Sequence, residues 1–200
     1  LQNKLIKKKN NYFNNNSVEF MVESLHELYN DIKKYNGELY FFHNDDIIKI
    51  LKEIHKQIPI KSLATNFDYS SYAIHRQKLL QEFCNMNNIN LIMKEDHVMY
   101  NVLDGKTNKQ NGEPYTVFTP FRNNCIKNLI VPKPDNFTKF NFSKYPELYK
   151  NKYYIAKKEI DKFYEYNSNI ILRGGRNNGL KILDNINQFK DYGIKRDFLT

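Results

Sequence analysis

Helix-like and strand-like segments alternate through the first hundred residues, and this alternation constrains the fold more than any other feature of the sequence. Apolar residues between Val18 and Ile32 recur at helical spacing, whereas Leu39 to His43 form a short apolar run typical of a buried strand. The later predicted elements are a helix at 47–58, a strand at 62–66, a helix at 71–88 and a strand at 89–93. Alternation of this kind is typical of right-handed crossover units. The sequence therefore predicts an α/β fold with a doubly wound parallel sheet.

Polar residues mark the ends of these helices. Ser17 precedes the first helix at the N-cap position, and Asn36-Gly37 follows it with residues suited to a left-handed C-cap. Asn44-Asp45-Asp46 precedes the second helix and supplies its predicted N-cap. The helix boundaries are therefore predicted from capping as well as from periodicity.

The loops that follow the strands are the expected ligand-binding edge. In open α/β sheets, ligands bind beyond the carboxyl ends of the strands, here at 43–44, 66–72 and 94–97. Neither a GxGxxG fingerprint nor a GxxxxGK[ST] loop occurs at these positions. A dinucleotide fingerprint and a P-loop are therefore both excluded as explanations of the sheet.

Composition narrows the class of protein. The apolar runs of this 200-residue chain are far shorter than the roughly 20 residues that span a bilayer, so we expect an intracellular, soluble protein without membrane contact. The only two cysteines, Cys84 and Cys125, support neither a disulfide framework nor a zinc site. The net charge of +9 lies mostly in residues 101–200. That excess fits either a solvated surface or contact with nucleic acid.

Turn residues and prolines in the second half of the chain predict a division of the sequence into three parts. Turn residues interrupt the periodicity after Met99, and a proline-containing segment at 129–172 is typical of an extended connector. Gly174-Gly175 then precedes another helical pattern. The predicted organisation is an α/β domain at 1–128, an interdomain linker at 129–172 and the start of a further domain at 173–200.

Several segments resemble motifs of one known family. Residues 17–25 read SVEFMVESL, and GELY follows at 37–40. Residues 66–76 read NFDYSSYAIHR, similar to the signature N-x-D-Y-x-P-Y-A-x-x-R-D. Asp96-His97 precedes GEPYTVFTPF at 112–121, and a Gly-Gly passage leads through Leu180, Phe189 and Tyr192 to Arg196-Asp197. In this order the segments resemble the N-terminal α/β domain and linker of the photolyase/cryptochrome family of blue-light flavoproteins.

The resemblance implies a fold that lacks two of the family's parts. The family's first strand would precede this chain, and its helical flavin domain would begin at 173–200 and continue beyond. FAD and the lesion pocket belong to that helical domain, so we expect the FAD site to be absent here. The chain contains no tryptophan, which excludes the family's tryptophan relay. Alone, it is therefore not expected to be catalytic.

The function implied is light-driven repair of UV-induced pyrimidine lesions, of the deoxyribodipyrimidine photo-lyase type. This chain would serve as the antenna and packing module for a separate or lost FAD domain. The expected partners are a separate FAD-domain polypeptide and, through the complete enzyme, damaged DNA. An inactive relic and a cryptochrome-like signalling module that acts by protein contacts remain the alternatives.

The resemblance also implies an optional antenna pigment, which is a folate, a deazaflavin or a flavin. The candidate antenna rim is Asp68, Tyr69 and Tyr72, because they follow a strand at the expected binding edge. A conventional folate site is not expected, since Tyr72 and Ala73 replace the family's Asn-Glu pair. Alternatively, Asp68 caps the following helix and both tyrosines pack against it. No catalytic role is expected for His97, and no metal site is expected.

Overall fold

The computed structural model describes residues 13–195 except 45, 97, 103, 132 and 134–138. The chain divides into two compact units. Unit 1 combines Leu1–Ile58 with Phe140–Thr200, and unit 2 is the continuous segment Pro59–Lys139. The boundaries of these units differ from the boundaries predicted at residues 128 and 172. The predicted boundaries concern the domain organisation of the family, and they stay a prediction.

Unit 1 begins with the long helix α1, Asn15–Lys34. Its N-cap is Asn14, whose side chain accepts a hydrogen bond from the Asn16 backbone N–H at 2.8 Å, so the predicted cap at Ser17 was wrong. The helix ends as predicted, because Asn36 adopts a left-handed backbone with φ of 60°. Both ends of α1 are thus set by asparagine, a residue that caps helices and tolerates positive φ.

Helix α2, Ile47–Gln57, also belongs to unit 1. Asp46 is its N-cap, and its carboxylate accepts hydrogen bonds from the backbone N–H groups of Ile48 at 2.9 Å and Lys49 at 3.2 Å. The predicted capping role of Asp46 is confirmed. Asp45, named with it, lies outside the described residues.

The strands of unit 1 form a short antiparallel pair. Strand β1, Phe41–Phe42, pairs with β4, Tyr154–Ile155, in the register Phe41 to Ile155 and Phe42 to Tyr154. The sequence predicted that strand 39–43 joins a single parallel sheet; among the described residues it pairs only with β4. A local apolar run indicates that a segment is buried. It does not indicate which distant segment forms hydrogen bonds with its backbone.

The core of unit 1 lies between α1 and a 3₁₀ helix at Lys157–Phe163. Ile160 from that 3₁₀ helix is fully buried and joins Val18, Val22 and Phe41 in one apolar cluster. Leu148, from a second 3₁₀ helix at Pro146–Lys150, is also buried. Part of the segment predicted as a connector therefore contributes to a packed core.

Unit 2 contains a parallel β-α-β unit. Strand β2, Ser62–Asn66, pairs in parallel with β3, Asn90–Lys94, and α3, Ser71–Met86, connects them. The predicted strand–helix–strand order of this segment is confirmed. Its buried apolar side chains are Ala73, Leu80, Phe83 and Cys84 of α3, together with Ile89, which directly precedes β3.

Helix α4, Phe118–Asn128, completes the regular structure of unit 2. Cys125 is its one buried residue, and both cysteines of the chain are free thiols. At the other end of the chain, unit 1 contains α5, Arg176–Asp184, a 3₁₀ helix at Ile186–Phe189, and the single turn α6, Tyr192–Lys195. Neither α5 nor the 3₁₀ helix after it has a buried residue.

No helix in the described part of the chain is long and apolar enough to cross a membrane.

Candidate functional site

The predicted antenna rim follows β2 in unit 2. Asp68 and Tyr69 lie in the loop before α3, and Tyr72 lies in the first turn of that helix. The loops after the two parallel strands are adjacent, since the Asn66 side-chain amide donates to the Asp96 carboxylate at 3.4 Å. Two of the three predicted ligand-binding loops therefore meet at one edge of the β2–β3 pair. The third, at 43–44, belongs to unit 1.

Asp68 shapes this loop from within. Its carboxylate accepts a hydrogen bond from the Ser70 backbone N–H at 2.8 Å, and its carbonyl oxygen accepts one from the buried Gln77 side chain at 3.2 Å. The N-cap of α3 is Ser70, whose hydroxyl accepts from the Ala73 N–H at 3.3 Å. The alternative prediction that Asp68 caps the helix was therefore wrong; Asp68 lies two residues before the N-cap and forms an Asx turn.

The two tyrosines of the rim present exposed rings. The Tyr69 ring meets the Phe67 ring edge-on, with centroids 5.0 Å apart. The Arg76 guanidinium lies 5.9 Å from the centroid of the Tyr72 ring. Exposed phenol rings can stack on a planar pigment. The third rim residue, Asp68, uses its carboxylate to accept a hydrogen bond within its own loop.

A cavity of about 420 Å³ lies elsewhere in unit 2. The three predicted rim residues are not among the described residues that line it. Its walls combine the segment after β3 with α4 and are almost wholly apolar. The lining residues are Val98, Met99, Tyr100, Val102, Thr107, Phe118, Phe121, Arg122, Cys125 and Ile126.

The chemistry of this lining does not fit the polar edge of a flavin or a pterin. Among the described lining residues, Thr107, Tyr100, Arg122 and Cys125 have side-chain hydrogen-bonding groups of their own, and Arg122 is the one charged residue. Burying several ring carbonyl and N–H groups without partners would cost about 1–3 kcal/mol each. Phe118, one of the lining residues, is 70% exposed.

A glycine-containing turn precedes α5 and offers the usual geometry for a phosphate group. Backbone N–H groups at a helix N-terminus bind the phosphates of dinucleotides. Here the N–H groups of Gly174 and Asn177 donate to the carboxylates of Glu23 and Glu27, at 2.6 Å and 3.0 Å. Carboxylates at these positions repel phosphate, so this helix N-terminus does not fit the pyrophosphate of FAD.

The largest pKa shifts occur in a cluster of unit 1 that sequence reasoning missed. The Glu38 side chain is 5% exposed and accepts a hydrogen bond from the Lys33 ammonium. Burial and a hydrogen bond to Glu38 raise the pKa of Tyr149 to about 12. Burial opposes ionisation of Glu38 itself, but its hydrogen bonds with Lys33 and Tyr149 lower the pKa. Neighbouring rings surround the cluster, and the Tyr40 and Tyr149 centroids are 5.4 Å apart.

Two motif segments named from the sequence, neither of them predicted as a site, lie outside the described residues. His97 and the Arg196-Asp197 pair fall on residues that the structure does not describe. Within the described residues, no group of three or more His, Cys, Asp or Glu side chains could hold a metal ion.

Comparison with known proteins identifies the family. The model of the DNA photolyase family matches residues 2–138. The structure is similar to an archaeal photolyase from Sulfolobus tokodaii with two FAD molecules, at a TM-score of 0.71, 22% identity and 91% coverage of this chain. It is also similar to a bacterial class III photolyase from Agrobacterium tumefaciens, at a TM-score of 0.65, 18% identity and 92% coverage. A search of curated proteins finds no match.

The family match covers more than half of the chain, and the structural similarity covers 91% of it. This chain belongs to the DNA photolyase family. It spans 38% of the length of each of the two solved photolyases. At these identities the structural similarity establishes a shared fold, and the family resemblance stated from the sequence motifs is confirmed.

Proposed function

We propose that this chain is the α/β packing module of a photolyase that repairs UV-induced pyrimidine lesions with light. In this proposal FAD and the redox chemistry belong to a helical flavin domain, carried by a separate polypeptide or lost. The β-α-β unit at 62–94 then forms part of a doubly wound sheet without its first strand. Residues 129–172 are the linker, and 173–200 are the first part of the helical domain.

The exposed apolar surface of the last helices carries this proposal. Leu183 in α5, and Ile186 and Phe189 in the 3₁₀ helix that follows it, are each more than half exposed. Large apolar side chains exposed this close together in the chain are of the kind that a protein–protein or domain interface covers. We call Leu183, Ile186 and Phe189 the C-terminal apolar face.

A reconstitution assay tests the proposal. The chain is mixed with a FAD-bearing photolyase helical domain, and light-dependent restoration of UV-irradiated oligonucleotides is measured. We expect repair from the pair and none from the chain alone. Leu183→Asp should abolish the gain, whereas Ile130→Asp, at a residue 91% exposed in unit 2, should leave it unchanged.

The outcomes separate the alternatives. Repair by the chain alone would overturn the assignment of the chemistry to another domain. Absence of binding to any FAD-bearing helical domain would favour an inactive relic. Binding without repair, together with light-dependent capture of a further protein, would favour a cryptochrome-like signalling module.

We also propose an antenna role for the rim formed by Asp68, Tyr69 and Tyr72. The support is the exposure of both phenol rings beside the adjoining loops after β2 and β3. A folate, a deazaflavin or a flavin bound there would add near-ultraviolet or blue absorbance to the purified chain. We expect Tyr72→Ala to remove that band and Tyr192→Ala, at an exposed tyrosine of unit 1, to retain it. A spectrum of tyrosine alone, unchanged by added flavin or folate, would contradict the antenna role.

A further inference from the structure

One face of α1 binds a segment that lies about 150 residues further along the chain. Glu19, Glu23 and Glu27 are spaced by four residues and therefore share a face of the helix, with Ser24 beside them. All four side chains accept hydrogen bonds from residues between Asn167 and Asn177. We call these four residues the α1 latch.

The first residue of the latch is a fully buried carboxylate. Glu19 accepts a hydrogen bond from the Arg173 guanidinium at 2.7 Å and from the Asn167 backbone N–H at 3.1 Å. Arg173 also bonds to Glu23 at 3.0 Å and donates to the Asn167 carbonyl oxygen at 2.6 Å. A buried charge with this many partners is held in one geometry, because loss of any partner leaves it uncompensated.

The rest of the latch holds the backbone that leads into α5. Glu23 accepts from the Gly174 N–H at 2.6 Å, and Ser24 accepts from the Gly175 N–H at 2.9 Å. Glu27 accepts from the Asn177 N–H at 3.0 Å. The N-cap of α5 is Gly175, which has no side chain to cap the helix. Glu27 therefore supplies, from a different helix, the acceptor and the negative charge that a helix N-terminus requires.

Close approach explains why two glycines occur at this point. A Cβ atom at position 174 would lie 2.1 Å from the carbonyl oxygen of Phe20. At position 175 it would lie 2.4 Å from the Glu27 carboxylate, and the backbone there has a φ of +107°. Any other residue would push the segment away from α1.

We infer that the α1 latch positions the start of α5 and thereby sets the direction in which the C-terminal apolar face is presented to the flavin domain. This inference rests on the proposed function for its partner. Glu23, Ser24 and Glu27 act as positioning residues, since they contact backbone N–H groups and not the reacting atoms. The partner that fits is the FAD-bearing helical domain. Its binding would depend on both the position and the direction of α5.

The test compares substitutions at Glu27, which is only partly buried, so that its variants should fold. Glu27→Ala removes the acceptor, and Glu27→Gln retains a carbonyl oxygen at the same place. Asp31→Ala is the matched control, because Asp31 lies one turn further along α1 and pairs with Lys34. Amide hydrogen exchange at Asn177 and along α5, the affinity for a FAD-bearing photolyase helical domain, and the urea midpoint are measured for each.

We expect Glu27→Ala to speed exchange at Asn177 by about five- to tenfold, the usual effect of a lost helix cap, and to weaken binding of the FAD-bearing domain by a similar factor. Glu27→Gln should recover most of both effects, and Asp31→Ala should show neither. The urea midpoint should move little in all three variants, which separates positioning from a general loss of stability.

Two results would overturn the inference. One is unchanged exchange at Asn177 in Glu27→Ala. The other is faster exchange without weaker binding, which would make the latch a local structural feature only. If the unmodified chain binds no FAD-bearing domain, the proposed function fails instead, and the exchange measurement still decides whether the latch holds α5.

Discussion

The carboxylate of Glu38 shows how single residues link distant segments of unit 1. It is almost fully buried, and it is bonded to Lys33 at the end of α1 and to Tyr149 of the 3₁₀ helix at Pro146–Lys150. The shifts in pKa have consequences for stability. A phenol with a raised pKa favours the folded state as long as it stays protonated.

We predict that the free energy of unfolding falls as the pH rises from about 10 to about 12. The ordinary pKa of a tyrosine is 10.0, and that of Tyr149 is raised to about 12 by burial and by Glu38. The stability that Tyr149 contributes is complete below pH 10 and is lost as the pH passes through 12. Lys33 acts in the same direction, because its hydrogen bond to Glu38 raises its pKa. Urea denaturation at a series of alkaline pH values measures the fall.

Tyr149→Phe is the informative variant, because it removes the titrating hydroxyl and keeps the ring. We expect it to reduce the alkaline fall in stability, whereas Tyr192→Phe, at an exposed tyrosine, should not. An identical pH dependence in the Tyr149→Phe variant and the unmodified chain would contradict the assignment.

Ile160 provides a second test at the residue scale. It is fully buried among Val18, Val22 and Phe41, so Ile160→Ala should lower the free energy of unfolding by roughly 2–5 kcal/mol. The same substitution at Ile171, which is 94% exposed, should change it by less than about 0.5 kcal/mol. Denaturation followed by far-ultraviolet circular dichroism measures both. Equal effects would mean that the segment 157–163 does not pack on α1 in solution.

At the scale of elements, α1, α2 and α3 each begin after a residue whose side chain caps the helix. Asp46 bonds two backbone N–H groups at the start of α2. We expect Asp46→Ala to destabilise the protein by about 1 kcal/mol and Asp46→Asn to retain most of the stability, since asparagine is an equally good N-cap. Thermal or urea denaturation of the three proteins provides the comparison. Equal loss in both variants would assign the effect to charge rather than to capping.

The sequence predicted those elements whose signals are local. Helix α3 and strand β2 were predicted from periodicity and turn residues, and the left-handed Asn36 was predicted from the residue type at a helix end. The pairing of β1 with β4 could not be predicted, because Phe41 and Ile155 are far apart in sequence and each strand has only two residues. The strand propensity of a segment carries no information about which distant strand pairs with it.

The candidate site was predictable to a similar extent. The sequence placed Asp68, Tyr69 and Tyr72 in the loop after a parallel strand. Asp68 and Tyr69 do lie there, whereas Tyr72 is in the first turn of α3. It missed the apolar cavity, since Val98 and Met99 occur in a turn-rich stretch without periodicity and meet α4 only in the folded chain. It also missed the role of the two glycines before α5, because their constraint comes from the backbone of α1 and not from neighbouring residues.

At the scale of the whole molecule, the net charge of +9 makes a prediction about DNA. We expect the chain alone to bind duplex DNA weakly, with an affinity that falls steeply with salt and is equal for UV-irradiated and undamaged duplexes. The reason is that contact with phosphates depends on charge and does not distinguish lesions. Fluorescence anisotropy at several salt concentrations measures both properties. Preferential binding of irradiated DNA by this chain alone would place lesion recognition in the α/β module.

The division of unit 1 between both ends of the chain also bears on how the protein is made. Unit 2 is continuous, so all of it is synthesised before the 3₁₀ helix at Lys157–Phe163. Helix α1 precedes unit 2 in the chain, and Ile160, which covers it, is synthesised only after unit 2. During synthesis the apolar face of α1 therefore lacks part of its cover until the segment 157–163 has been made, and such transiently exposed apolar surface is where a growing chain is most prone to aggregate.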